Sequence, residues 1–261
     1  EWTETIPHIF IAELGASPVK GGKDILEGEP YEAPTKPFGG AEELSWSPDG
    51  KTLAYSSRKK VGMEYALSTN TDIYLYDLGS GQTKNVTAPN GGYDTHPRFS
   101  PDGKSLSWIS MERDGYEADL KRLFVLDLKT GKKTYLTDGF EYDVDETVWA
   151  PDGKSIYFLC TKEAETHLWE LGLKKRSIRQ ITSGQYDYTL VSLRTGKLLA
   201  GRQSYNDPKD LYLVDPHSGK AQQVTAENKS ILGDMPNIAV EKRWIKTTDG
   251  GNMLVWVVLP P

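Results

Sequence analysis

The sequence predicts an all-β chain, a partial β-propeller of four-stranded antiparallel blades with about four whole blades plus remnants. Three observations predict it. A turn recurs as Ser47-Pro48-Asp49-Gly50-Lys51, Ser100-Pro101-Asp102-Gly103-Lys104 and Ala150-Pro151-Asp152-Gly153-Lys154, with the prolines 53 and then 50 residues apart. A strand-like segment recurs between the turns, at Asp72–Asp77, Arg122–Asp127, His167–Leu171 and Asp210–Asp215. Ten or eleven residues after each of these stands a threonine: Thr87, Thr137, Thr182 and Thr225. A period of roughly 40 to 50 residues holding four short strands is the sequence mark of a propeller blade. A β-sandwich also has closely spaced strands, but it does not demand the same turn at the same place in each group of four.

The elements of one repeat follow in order. Leu44-Ser45-Trp46 reads as a strand running into Ser-Pro-Asp-Gly, where proline presets φ and glycine takes the left-handed position that closes a hairpin. Thr52–Ser56, alternating apolar with small or polar residues, is the second strand, and Ile73–Leu78 the third. The turn Gly79-Ser80-Gly81 leads to a fourth strand ending in Asn85-Val86-Thr87. The blades are expected at about 44–87, 97–137, 146–182 and 188–225, within a propeller region of residues 31–230. The last carries a weaker turn, Arg194-Thr195-Gly196-Lys197. Trp46, Phe99 and Trp149 sit at matching positions before the turn and are expected to pack between neighbouring blades. His8–Leu14 align with a blade's third strand, so residues 1–30 are expected to be the end of a truncated blade. Arg243–Gly250 leading to Met253–Leu259 reads as an exit hairpin, within residues 231–261, that breaks the repeat. An open arc leaves unpaired edges, so the chain is expected to be part of a larger ring and a larger molecule.

Composition removes several function classes. Lysine plus arginine number 31 against 37 aspartate plus glutamate, a net charge of −6, which offers no general affinity for nucleic acid or an anionic membrane surface. The single cysteine, Cys160, excludes an intrachain disulfide and a cysteine-rich zinc module, and four scattered histidines predict no metal or other cofactor. No apolar run is long enough to insert across a bilayer, and the opening residues Glu1–Glu4 lack the basic start of a signal peptide. His96 is expected to pack or hydrogen-bond locally, and His8, His167 and His217 to occupy strand or turn positions. The one basic run, Arg58-Lys59-Lys60, reads as an exposed loop.

Some segments point to a known family. Gly91-Gly92-Tyr93-Asp94-Thr95-His96-Pro97, Met111–Asp119, and the exit segment from Pro208-Lys209-Asp210-Leu211-Tyr212 through Lys246–Gly251 to Leu259-Pro260-Pro261 resemble the propeller of the prolyl oligopeptidase family of serine peptidases. The similarity is greatest to its bacterial dipeptidyl peptidase and acylaminoacyl peptidase branch. The resemblance implies that the exit segment opens an α/β-hydrolase domain of the same polypeptide, which is the propeller's partner and carries the catalytic Ser, Asp and His. No Gly-x-Ser-x-Gly elbow occurs in these 261 residues, so no catalytic residue is expected in this chain.

The implied role of the propeller is to restrict access and help bind the amino terminus of a peptide substrate. An ammonium entering a partly dry pocket loses hydration, and nearby carboxylates offset that loss with charge-assisted hydrogen bonds. Candidates for substrate binding are Glu117 and Tyr116 first, in an insertion that sets an aromatic beside a carboxylate, then Glu42 and Glu43 before a blade's first strand, and Glu112 and Asp119. The intact protein would remove dipeptides or acylated residues from peptide N-termini. The resemblance also allows a homodimer of the full-length protein and implies a periplasmic location, with a cytoplasmic one as the alternative. Two rivals remain: a Tol-type periplasmic propeller that makes protein contacts, and a lyase-like propeller with active residues in its own channel. Only the peptidase reading demands a Gly-x-Ser-x-Gly elbow downstream.

Overall fold

A computed structural model describes residues 5–15, 21–233 and 235–259, apart from the side chains of residues 191 and 194. The ends of the expected first and last segments, residues 1–4 and 260–261, together with 16–20 and 234, lie outside the described residues. The chain forms two compact units, residues 1–154 and 155–261, divided just after the third recurring turn.

In the first unit, a ribbon of Phe10–Ile11 paired with Lys23–Asp24 precedes two four-stranded antiparallel sheets. One sheet runs in order through Leu44–Trp46, Thr52–Ser57, Asp72–Asp77 and Thr83–Asn85. The other runs through Asp94–Phe99, Ser105–Ser110, Arg122–Asp127 and Lys133–Tyr135. Asp145–Trp149 opens the third repeat. The second unit holds the antiparallel strands Ser155–Lys162, Glu165–Gly172 and Ser177–Gln180. A four-stranded meander follows, Asp187–Arg194, Lys197–Gln203, Asp210–Val214 and Ala221–Gln223, then the hairpin Ala239–Lys246 with Asn252–Leu259. The repeated four-stranded meanders are the predicted all-β, partial-propeller architecture.

The repeated residues have repeated jobs. In the first turn the Gly50 N–H donates to the Ser47 carbonyl at 2.9 Å, and Gly50 lies at φ 69°. Gly103 and Gly153 repeat the bond and the left-handed conformation, which glycine adopts without steric cost. The Ser47 hydroxyl donates to Asp49 and accepts the Thr52 N–H, and Ser100 does the same with Asp102 and Ser105. The threonine hydroxyls accept the N–H of the third strand in each repeat: Ile73 to Thr87 at 2.9 Å, Leu123 to Thr137 at 3.1 Å, Leu168 to Thr182 at 3.0 Å and Leu211 to Thr225 at 2.9 Å. Each satisfies a buried or part-buried backbone donor that the short fourth strand leaves unpaired.

Packing within the first unit is continuous between repeats. Ile9, Ile25 and Leu26 from the ribbon region pack with Leu53, Tyr55, Tyr74 and Tyr76 of the first sheet. Ala54, Ile73 and Val86 of that sheet pack with Leu106, Trp108 and Leu126 of the next, and Phe99 joins them. Trp149 is buried, and its indole N–H donates to the Ser107 hydroxyl at 2.9 Å and the Arg98 carbonyl at 3.2 Å, linking two repeats as expected. Trp46 departs from the expectation and is 48 % exposed. The ribbon before it, Phe10–Ile11 with Lys23–Asp24, is two short strands and not a four-stranded sheet. The basic run also departs from its expected place in an exposed loop. Lys59 forms an ion pair with Glu29, sits 4.6 Å from the Tyr74 ring centroid, and leaves 19 % of its side chain exposed.

Candidate functional site

The insertion between the strands Ser105–Ser110 and Arg122–Asp127 is built from its own carboxylates. Asp119 accepts the N–H groups of Glu112 at 2.9 Å, Arg113 at 2.8 Å and Leu120 at 3.0 Å, and also the Arg113 guanidinium at 3.1 Å. The bond from Arg113, with the backbone donors, holds its carboxyl far below the usual range. Asp114 accepts the Ser68 hydroxyl at 2.7 Å, the Thr69 N–H at 2.7 Å and the Asn70 N–H at 3.2 Å, so the loop is tied to the preceding repeat. The Gly115 N–H adds a bond to Thr69 Oγ1 at 2.9 Å.

The strand Asp94–Phe99 and the turn before it form the floor of this loop. The Met111 N–H donates to the Tyr93 carbonyl at 2.9 Å, and the chains approach so closely at Gly92 that a Cβ there would lie 2.3 Å from the Met111 oxygen. Asp94 is fully buried and accepts the Trp108 indole N–H at 3.0 Å and the Asn90 amide at 3.1 Å. Asn90 also donates to Ser110 Oγ and to the Met111 carbonyl. Burial pushes the Asp94 carboxyl up to about 6, opposed by these hydrogen bonds.

The six residues expected to bind substrate fall into distinct settings. Glu43, in the 3-10 turn Ala41–Glu43, is 1 % exposed and accepts the Thr35 N–H at 2.7 Å, the Thr35 hydroxyl, and the Tyr93 hydroxyl at 3.4 Å. Burial pushes its carboxyl up. Glu43 and Asp119 are therefore internal carboxylates with their oxygens already engaged. Glu112 is exposed and paired with Arg122 at 3.0 Å. Glu42 is half-buried, and its backbone carbonyl accepts the Arg98 guanidinium at 2.8 Å. Tyr116 is 46 % exposed, with the Arg113 guanidinium 4.0 Å from its ring centroid. Glu117 is exposed in the same loop, with no hydrogen-bond or ion-pair partner among the described residues. Glu112, Tyr116, Glu117 and Asp119 thus share one braced loop, and Glu42 and Glu43 stand apart on the 3-10 turn.

Beside Glu42 lies a polar cluster that sequence reasoning missed. His96, at φ 54°, follows Thr95 at a bulge in the strand pairing, and burial, with Arg98 beside it, drops its pKa to about 4. Lys121 reaches Asp145 at 2.7 Å. Glu146, at φ 35°, stands five residues before Pro151, as His96 stands five before Pro101. That shared spacing was the available signal. The turn serines donate to neighbouring aspartates without a histidine, so they do not form a nucleophile–base pair. Among the described residues, no cluster of three histidine, cysteine or acidic side chains is arranged to hold a metal ion.

Comparison with known proteins adds to this geometry. The family model described as the TolB beta propeller domain matches residues 43–258. The chain is 63 % identical over 261 residues to dipeptidyl-peptidase 5 of Porphyromonas gingivalis, covering 100 % of this chain and 38 % of that protein. It is 56 % identical over 260 residues to dipeptidyl-peptidase 5 of Porphyromonas endodontalis, again covering 38 % of the relative. Among solved structures, the acylaminoacyl peptidase of Pyrococcus horikoshii superposes with a TM-score of 0.66 at 17 % identity, covering 84 % of this chain and 32 % of that one. TolB from Acinetobacter baumannii gives a TM-score of 0.54 at 22 % identity, covering 70 % of this chain and 43 % of that one. The structural likenesses bear out the propeller fold, and the sequence matches bear out the peptidase-propeller resemblance. The chain spans well under half the length of the dipeptidyl-peptidase relatives.

Proposed function

We propose that this chain, which belongs to the TolB β-propeller domain family, is the non-catalytic propeller of a serine exopeptidase that removes dipeptides or acylated residues from peptide N-termini. The observation that carries the reading is the 63 % identity to a dipeptidyl-peptidase 5 across the whole chain, which accounts for only 38 % of that relative. In this reading the rest of the complete polypeptide supplies an α/β-hydrolase domain with the catalytic Ser, Asp and His, and the propeller admits substrates by size and helps anchor their amines.

Glu117 is the anchor this reading favours, because its carboxylate is exposed and uncommitted on a loop whose backbone is braced by Asp114 and Asp119. Tyr116 and Glu112, on the same loop, are its accessory groups, and Glu42 is a separate acidic candidate on the 3-10 turn. Glu43 and Asp119 contribute by holding backbone in place. The test is the cleavage ratio for free-amine over N-blocked dipeptidyl substrates in the complete polypeptide. Glu117→Gln is expected to lower that ratio roughly tenfold, the worth of one charge-assisted hydrogen bond. An unchanged ratio would remove Glu117 as the anchor, and a wild-type ratio near one would remove amine anchoring altogether.

A Tol-type binding propeller is the second reading, favoured by the description of the matching family model. It predicts a complete polypeptide without peptidase activity. The proposed location is the periplasm, with the cytoplasm as the alternative, and cell fractionation decides between them.

A further inference from the structure

In the second unit, the guanidinium of Arg202 is held by aromatic rings. Its central carbon lies 3.8 Å from the ring centroid of Tyr212 and 4.2 Å from that of Tyr186. Contact with aromatic faces uses the plane of a guanidinium and leaves in-plane N–H donors for other partners. No carboxylate among the described residues lies within ion-pair distance of Arg202, although Asp210 is its direct cross-strand neighbour. The Asp210 carboxylate instead accepts the Thr225 hydroxyl at 2.7 Å and the Gln223 amide at 3.3 Å, while Asp207 accepts the Ser204 hydroxyl at 2.9 Å.

Arg202 lines a cavity of about 570 Å³, together with Asn228, Lys229, Asn237, Asp207 and Asp210. A stacked arginine fork without a counter-ion, facing open space, is suited to a ligand carboxylate, which it can hold through two parallel hydrogen bonds. Asp207 and Asp210, which line the cavity with Arg202 and Lys229, leave no net positive charge to hold a doubly charged anion and favour a ligand that brings a positive group of its own.

We infer that this cavity binds a small zwitterion, a free amino acid or short peptide, through its carboxylate on Arg202. The site uses none of the residues assigned to substrate anchoring, and it stands or falls apart from the peptidase reading.

The test titrates glycylglycine into the full chain, following the Arg202 side-chain N–H resonance by NMR and the heat of binding by calorimetry, with sulfate as the second probe. A saturable shift at Arg202 is expected with glycylglycine and a weaker response with sulfate. Arg202→Lys keeps the charge but loses the fork, and is expected to weaken glycylglycine binding roughly tenfold. Lys229→Glu, at an exposed position, adds a third acidic group to the wall and is expected to weaken it as well, which keeps the idea testable if Arg202→Lys fails to fold. Three results would overturn the inference: no saturable response to glycylglycine, equal or stronger binding of sulfate, or unchanged affinity in a folded Arg202→Lys or Lys229→Glu variant.

Discussion

Replacing Asp94 by asparagine tests whether the floor of the candidate loop rests on a buried carboxyl. Asp94 is fully enclosed, and burial outweighs the bonds from Asn90 and Trp108, raising its pKa from 3.8 to about 6. The folded state therefore holds this proton more tightly than the unfolded chain. Its stabilising contribution is fully present below pH 3.8 and is lost as pH rises through about 6. At about 1.36 kcal/mol per pKa unit, the rise corresponds to about 3 kcal/mol. Asparagine keeps an oxygen for the Trp108 indole N–H and removes the titration.

The assay is urea unfolding of wild type and Asp94→Asn across about pH 4 to pH 7, followed by tryptophan fluorescence. Other carboxyls, such as Asp119 with its lowered pKa, titrate in both proteins and cancel in the difference. Wild-type stability minus variant stability is expected to fall by about 2.4 kcal/mol over that range, the rest of the ~3 kcal/mol lying below about pH 4. Curves that run parallel would refute the reasoning, because they would mean that Asp94 is solvated or ionised in the folded protein.

Other predictions follow from the same structure. Thr87→Val removes the acceptor for the Ile73 N–H and the donor to Asp72, and should cost about 1–3 kcal/mol in denaturant unfolding, whereas Thr87→Ser should recover most of it. His96, with its pKa lowered to about 4 by burial, should stay neutral under mildly acidic conditions, and an NMR titration of its ring should show no midpoint near 6.5. Trp149→Phe keeps most of the ring but strands the indole's partners, Ser107 and the Arg98 carbonyl, and should lower the unfolding midpoint by more than the exposed Trp46→Phe does.

Those residues also mark what the chain makes legible. The Ser-Pro-Asp-Gly turns could be read directly, because their bonds run within five residues and their conformation follows from proline and glycine. The recurring threonines were visible as a pattern, but their purpose required the fourth strand folded back on the third, 14 residues away. Burial of charge was not legible. Glu43 reads in the sequence as a substrate-binding candidate beside Glu42, whereas Thr35 and Tyr93, the latter 50 residues on, close over it in the fold. Asp119 reads in the sequence as a substrate-binding candidate of the insertion and instead organises its backbone. Lys59 belonged to an apparently solvated run, yet Glu29 and the Tyr74 ring, both brought in by tertiary pairing, enclose it. For Glu43 and Lys59 the decisive partners sit on other elements, and for Asp119 the path of the insertion itself turns the Glu112, Arg113 and Leu120 N–H groups onto the carboxylate, so neither composition nor periodicity could supply them.

The direct measurement is hydrolysis of a dipeptidyl chromogenic amide by two proteins side by side: the 261-residue chain and the complete polypeptide that contains it. Release of the intact dipeptide by the complete polypeptide, abolished by a serine-directed inhibitor, is expected, with none by the chain alone. Turnover by the isolated chain, or an inert complete polypeptide, would contradict the peptidase reading.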